Sequence, residues 1–351
     1  MLQSELQQTS SQVERANAFC REVLPAVSRT FALSIRLLPG KLGAAVQCAY
    51  LICRVADTIE DEPALAAAEK AELLDDLARC FDEADAVEKF LARVRDVRGD
   101  PAHLELIRRT DLVFVVHRSL PDRTRARVRH WVKEMIAGMR KFVLLYPNGI
   151  RIQSLEEYKE YCYYVAGTVG YLLTDLWHEH SASIGAERYE ILRARCRAFA
   201  EALQTVNILK DVARDAAEEN SIYIPEQVLR ENGSSQAMIL APQLAAQNYA
   251  ALTTLTRLAW QDLDQATAYL LAIPRRAVSI RIFCALPLLF AYATLRDLTT
   301  KPNGLTAAEP IKISRSEVKS LTLLSMLGVM SNVAMAKLVE RARTKPLLLG
   351  W

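Results

Sequence analysis

The stretch "AYLICRVADTIEDEP", residues 49–63, begins as an apolar helix and ends in acids: Asp57, Glu60, Asp61 and Glu62 fall within six positions. At about 3.6 residues per turn, Tyr50, Arg54, Asp57 and Asp61 share one stripe, being four, three and four residues apart. Two aspartates on one stripe repel each other. The helix dipole also disfavours negative charge at a C-terminal end. The stretch calls for a counter-ion.

A second helix answers it. In "LQTVNILKDVARDAAEEN", residues 203–220, Asn207, Asp211 and Asp215 recur at intervals of four beside apolar positions. One DxxxD alone is an ordinary solvated face. Two such stripes, each on an apolar helix, are expected to face each other across a bundle. Carboxylate and amide oxygens suit hard cations, and Mg²⁺ takes one or two carboxylates together with water and phosphate oxygens. A diphosphate would then sit between the helices. Arg54 and Lys210, within one turn of these acids, have the charge to hold its oxygens, while Arg54 is equally placed to pair with Asp57.

The remaining composition fits this reading. The chain has 351 residues, of which 51% are hydrophobic and 24% charged, and only 12 Gly and 13 Pro, a balance that favours helices over a many-stranded sandwich. Net charge is +3 with no basic block, so nucleic acid is a poor partner and a small anion a good one. The seven cysteines are odd in number and scattered without CxxC spacing, and the N-terminal residues are polar. Both features predict a reducing, cytoplasmic setting. The C-terminal run "LTLLSMLGVMSNVAMAKLV", residues 321–339, is interrupted by Ser325, Ser331, Asn332 and Lys337. It is expected to pack on the body or rest on a membrane surface rather than span one.

Helices are expected almost throughout, with breaks at residues 37–41, 98–101, 119–123, 146–149, 231–235 and 301–304. Ser154, three before Glu157, reads as a capping box for a helix running through "YCYYVAGTVGYLLTDLW", residues 161–177. Ala166, Gly167 and Gly170 in that helix imply close approach, since each glycine costs about 1 kcal/mol relative to alanine. Either another helix or an extended apolar ligand passes there. "KFVLLYPNGIRI", residues 141–152, suggests a short ribbon turning at Asn148 and Gly149. One all-α domain over residues 17–343, with short tails at 1–16 and 344–351, is the economical reading.

The motifs together resemble the squalene and phytoene synthases, all-helical prenyltransferases that join two isoprenoid diphosphates head to head. "SRTFALSIRLLP" (28–39), "YLICRVADTIED" (50–61), "YCYYVAGTVGYLL" (161–173), "LQTVNILKDVARD" (203–215) with "YIP" (223–225), and "IKISRSEV" (311–318) carry the resemblance. "YCYYVAG", "FCALP" (283–287) and "IKISR" are most similar to the squalene synthases within it. The resemblance implies an all-α, single-domain isoprenoid synthase helical bundle with a central cavity. It implies Mg²⁺-dependent condensation of two farnesyl diphosphates through presqualene diphosphate to squalene, with reduction by NADPH. A non-reducing relative giving presqualene diphosphate, dehydrosqualene, hydroxysqualene or phytoene stands as the alternative. A non-catalytic assembly factor of the same fold is disfavoured, because all the acids are retained.

The resemblance also implies roles. Ser28, Arg29, Phe31, Arg54, Gln204 and Lys210 would contact substrate, with Arg29 and Arg54 on diphosphate oxygens. Asp57, Glu60, Asp61, Asn207, Asp211 and Asp215 would hold Mg²⁺. Tyr164 matches the catalytic tyrosine, and Tyr50, Phe31, Tyr161, Tyr171 and Phe283 are candidate aromatic walls, whose faces tolerate a carbocation. Lys312 and Arg315 would bind the cofactor phosphates, although Ser314 aligns with the second basic position. Lys210 stands where arginine is frequent, and Ser221 where squalene synthases carry another arginine. Isoprenoid diphosphates are the expected partners, with peripheral membrane contact for release of an apolar product.

Overall fold

The computed structural model of the chain describes residues 2–301 and 311–347, without the side chains of residues 2–9, 29 and 30. Its helices sort into two compact units, residues 1–147 and 148–351. The first contains α1 (Leu2–Val27), α2 (Arg29–Arg36), α3 (Gly40–Asp61), α4 (Ala67–Arg79), α5 (Ala86–Arg93), α6 (Pro101–Arg108), α7 (Thr110–Ser119) and α8 (Asp122–Leu145). The polar N-terminal residues are thus the start of α1. Helix α3 lies against α7 and α8. Its apolar stretch buries Leu51, Ile52, Val55, Ala56 and Ile59, each side chain contributing about 1.5–3 kcal/mol or less according to size. In α8, Val128, Trp131, Val132, Met135, Ile136, Met139, Phe142 and Val143 recur at three- and four-residue intervals and form its buried face.

The second unit contains α9 (Leu155–Cys162), α10 (Thr168–His180), α11 (Ala186–Glu218), α12 (Glu226–Glu231), α13 (Ala245–Ala272), α14 (Val278–Thr300), α15 (Arg315–Gly328) and α16 (Asn332–Thr344). The 33-residue α11 packs on α10, α13 and α14. Between α9 and α10, Tyr163–Gly167 form one widened π turn, where the Thr168 N–H reaches back to the Tyr163 carbonyl. The expected continuous helix is therefore interrupted at its tyrosines. Ser154 does cap α9, accepting from the Glu157 N–H at 3.2 Å, and the Glu157 carboxylate accepts from the Gln153 N–H. At Gly170 the close approach comes from a helix: a Cβ there would lie 2.3 Å from the Cys196 carbonyl oxygen of α11.

Residues 141–152 do not form a ribbon. Lys141–Leu145 complete the amphipathic pattern of α8, and Arg151 instead makes an isolated parallel bridge with Ile222. Local turn signals lose here to the helix's apolar period and to pairing with a distant segment. Gly149, at φ +97°, is required because a Cβ would fall 1.9 Å from the Asn220 carbonyl oxygen.

Two buried arginines fasten the C-terminal helices. Arg296 is bidentate to Glu317 of α15 at 2.9 and 3.0 Å and also donates to Asp297 and to the Ala342 carbonyl of α16. Arg281 donates to the carbonyls of Ile273 and Val329 and to Asn332 Oδ1, so the α13–α14 and α15–α16 turns share one side chain. Removing one partner of such a buried charged contact costs about 3–5 kcal/mol. All seven cysteines are buried and free. Helices α3 and α14 are long and apolar enough to cross a membrane, yet most of each is buried within the fold.

Candidate active site

In the first unit, α3 carries Tyr50, Arg54, Asp57 and Asp61 as the period requires. Arg54 donates to the Tyr50 hydroxyl at 3.1 Å and pairs with Asp57 at 3.4 Å, while its Nε is buried without a hydrogen-bond partner among the described residues. Burial pulls the Arg54 pKa down, but Asp57, Tyr50 and Asp61 outweigh it and leave the pKa above its usual value. Burial raises the Asp57 carboxyl, against the opposing pull of Arg54 and His103. Glu60 is buried beside them and Asp61 is exposed. The Phe31 ring of α2 lies 5.7 Å from that of Tyr50, and Ser28 caps α2 by accepting from the Phe31 N–H at 3.2 Å. Ser28, Phe31, Tyr50, Arg54 and Asp57 are thus brought together. The Arg29 side chain lies outside the described residues.

In the second unit, Asp211 and Asp215 are each 7% exposed on α11. One Asp211 oxygen meets Lys210 at 3.1 Å and Arg214 at 3.5 Å, and Arg214 also reaches Asp215 at 3.4 Å. The other, Oδ1, is buried with no hydrogen-bond partner among the described residues. Lys210 donates to Asn207, which is exposed, and Gln204 is half-buried one turn earlier. Tyr164 sits in the π turn, edge-on to Tyr163 at 5.2 Å. Phe283 is buried edge-on to Trp177, Tyr161 stacks on Tyr223, and Arg193 covers the Tyr171 ring at 5.0 Å. These last three rings already serve the protein's own packing. Ser221 is buried, accepting from the Ile150 N–H at 3.1 Å and donating to the Glu219 carbonyl.

Three features escaped the sequence reading. Arg214 bridges both aspartates, and its spacing of three after Asp211 was available as a signal. Glu219 extends the Asn207–Asp211–Asp215 series by four residues. Burial and then the Asp215 charge raise its carboxyl to about 7. The π turn under Tyr164 has no residue signature of its own, although such turns are common at functional sites.

The donor chemistry fits a hard divalent ion. Among the described residues no cluster of three or more His, Cys, Asp or Glu side chains surrounds one point. Mg²⁺ does not need such a cage, because water and phosphate oxygens complete its octahedron. The buried Asp211 carboxylate, with its unpartnered Oδ1, would supply part of the protein's share. At the start of α15, Lys312 and Arg315 are exposed and unpaired among the described residues, while Ser314 caps the helix by accepting from the Glu317 N–H at 3.1 Å. Two free cations beside a helix N-terminus fit anionic phosphate groups.

A family model described as squalene/phytoene synthase matches residues 24–317. The squalene synthase of Schizosaccharomyces pombe is 26% identical over 309 residues, covering 88% of this chain and 64% of that protein, so the chain spans less than two thirds of that relative's length. A solved structure of TcSQS with a ligand superposes with a TM-score of 0.74 at 22% identity, covering 94% of this chain and 98% of that one. A dehydrosqualene synthase with a ligand gives 0.62 at 21%, covering 95% and 98%. The structures share the all-α isoprenoid synthase fold. With its two acidic helices and tyrosine turn lying inside the matched span, the chain belongs to the squalene/phytoene synthase family.

Proposed function

We propose that the chain condenses two farnesyl diphosphates head to head to presqualene diphosphate and reduces that product to squalene. The observation that carries the reading is the buried Asp211–Asp215 pair, in which Asp211 Oδ1 is unpartnered among the described residues, a costly arrangement unless a cation completes it. Asp57, Glu60 and Asp61, and separately Asn207, Asp211 and Asp215, would hold Mg²⁺, which when bound neutralises the charge of a departing diphosphate.

The chain's own residues supply the rest. Arg54, already oriented by Tyr50 and Asp57, turns its unpartnered Nε to diphosphate oxygens, and Lys210 adds a point charge. Arg29 is assigned the same task from its place in the motif. Lysine at 210 keeps charge but loses the planar fork. The Phe31 and Tyr50 rings offer faces that tolerate positive charge and exclude water. The Tyr164 hydroxyl moves a proton or steadies the diphosphate. Lys312 and Arg315 bind the phosphates of NADPH. The apolar product makes peripheral membrane contact the natural route of release.

One observation favours the non-reducing relative. Ser221 is neutral, buried and committed to Ile150 and Glu219, so no cation stands where squalene synthases carry one. Incubation with farnesyl or geranylgeranyl diphosphate and Mg²⁺, with and without NADPH, followed by identification of the extracted hydrocarbons, separates the readings. Squalene appearing only with farnesyl diphosphate and NADPH is expected. Identical products with and without NADPH would transfer the assignment to a non-reducing enzyme, and phytoene from the C20 substrate would change the substrate.

A further inference from the structure

Helix α15 turns several polar side chains inward and several large apolar ones outward. Its buried positions are Glu317, Ser320, Leu321 and Ser325, of which Glu317 is held by Arg296 and the serines bond back to their own helix. Its outward face carries Leu323, Met326 and Leu327, and the turn into α16 adds Met330 and Val333. Leu327, Met330 and Val333 are 75%, 62% and 65% exposed. An amphipathic helix ordinarily turns such residues inward. Large apolar side chains gathered at one exposed corner mark an interaction surface.

The charges on the segments that form that corner are of one sign. Lys319 lies one turn before Leu323 on α15, and Lys337 one turn after Val333 on α16; both are exposed, and no acidic residue occurs from 319 to 337. Arg275 and Arg276 stand exposed in the α13–α14 turn, where residues 271–281 are also free of acids. Arg281 holds that turn beside the corner through Ile273, Val329 and Asn332, and Asn332 in turn donates to the Leu271 carbonyl. The platform is therefore fixed by buried contacts.

We propose that the α15–α16 corner docks on an anionic membrane surface, with Leu327, Met330 and Val333 entering the acyl boundary and Arg275, Arg276, Lys319 and Lys337 meeting lipid phosphates. Exposed Leu, Val and pliable, unbranched Met side chains flanked by cations complement a fluid anionic surface. The inference gives a place to the peripheral contact proposed above and rests on that reading only for its purpose, since the surface itself is independent of catalysis.

Cosedimentation of the full chain with vesicles of phosphatidylcholine, alone or mixed with phosphatidylglycerol, tests it without substrate. Binding to the anionic vesicles that weakens with salt is expected. The combined Leu327→Ser, Met330→Ser and Val333→Ser variant should lower partitioning on the order of 100-fold, and Arg275→Gln with Arg276→Gln about fivefold per charge. A Leu327→Trp variant should bind and shift its fluorescence to the blue on the same vesicles, which guards against misfolding of the triple variant. Equal partitioning of wild type and triple variant, or an unshifted tryptophan, would overturn the proposal. So would a dimer in lipid-free solution that the triple variant dissolves, because the occupant would then be a second copy. Turnover of farnesyl diphosphate in detergent should be unchanged in the triple variant. If wild type also lacks turnover there, the enzymatic reading fails while the vesicle result stands by itself.

Discussion

The acidic stripes of α3 and α11 share a spacing and differ in almost everything else. On α3 the acids close the helix, Asp57 is half-buried with Arg54 as its partner, and Asp61 is exposed. On α11 they lie within a longer helix, both nearly buried, straddled by Lys210 and Arg214, with one oxygen unpartnered and Glu219 raised to about 7. The α3 stripe resembles a surface ladder that a ligand can recruit. The α11 stripe is a stored electrostatic cost, tolerable in the free protein only because its cations sit one turn away. The same DxxxD pattern therefore does not define an environment; burial does.

The largest expected effect breaks the buried stripe outright. Asp211→Asn combined with Asp215→Asn should lower turnover of farnesyl diphosphate by roughly 10³ or more, with an unchanged circular dichroism spectrum. Substantial metal-dependent turnover in that variant would reduce the α11 stripe to a structural ladder. Next comes Tyr164→Phe, which keeps the ring in the π turn and removes only the hydroxyl; a loss of roughly 100-fold in the first condensation is expected. Normal rates would make Tyr164 a wall and nothing more.

Smaller again is Lys312→Ala. It should leave formation of presqualene diphosphate intact and raise the NADPH concentration needed by about tenfold. Dehydrosqualene or hydroxysqualene should then accumulate at low NADPH, an effect that high NADPH reverses. An unaltered product ratio at every NADPH concentration would detach "IKISR" from the cofactor.

The smallest effect concerns the scaffold behind each stripe. Helix α3 leans on α7, where His117 is buried edge-on to Phe81 and Phe114 and burial lowers its pKa from 6.5 to about 4; α13, behind α11, carries no histidine. The folded form binds fewer protons than the unfolded one between those values. Stability supplied by neutral His117 is thus whole above pH 6.5 and is lost as the pH falls towards 4, by about 2–3 kcal/mol. Urea unfolding at pH values of about 7 and about 4.5 should show this fall, and His117→Leu should flatten it. An equal fall in the variant would place the acid sensitivity elsewhere.

Much of this was legible in the residues. Helix ends at Arg36, Ser119, Leu145 and Glu231 coincide with turn signals, because Gly, Pro, Asp and Asn act on their own backbone. Both acidic stripes are legible for the same reason, a period being a local property. What depended on distant partners was not. The π turn at Tyr163–Gly167, the bridge from Arg151 to Ile222 and the docking of Gly170 on Cys196 each need a second segment in place. The run at 321–339 packs on the body through Leu321, Met335 and Leu338, as its interrupted apolar pattern implies, while Leu327 and Met330 face outward.

The central claim is that both stripes serve one metal-dependent diphosphate chemistry despite their different burial. The most direct test measures diphosphate release from farnesyl diphosphate against Mg²⁺ concentration for Asp57→Asn and Asp211→Asn side by side with wild type. Both variants should lose release by roughly 100-fold or more while melting at or above the wild-type temperature, because a repelling charge has been removed. Wild-type, metal-dependent release in either variant would contradict the account.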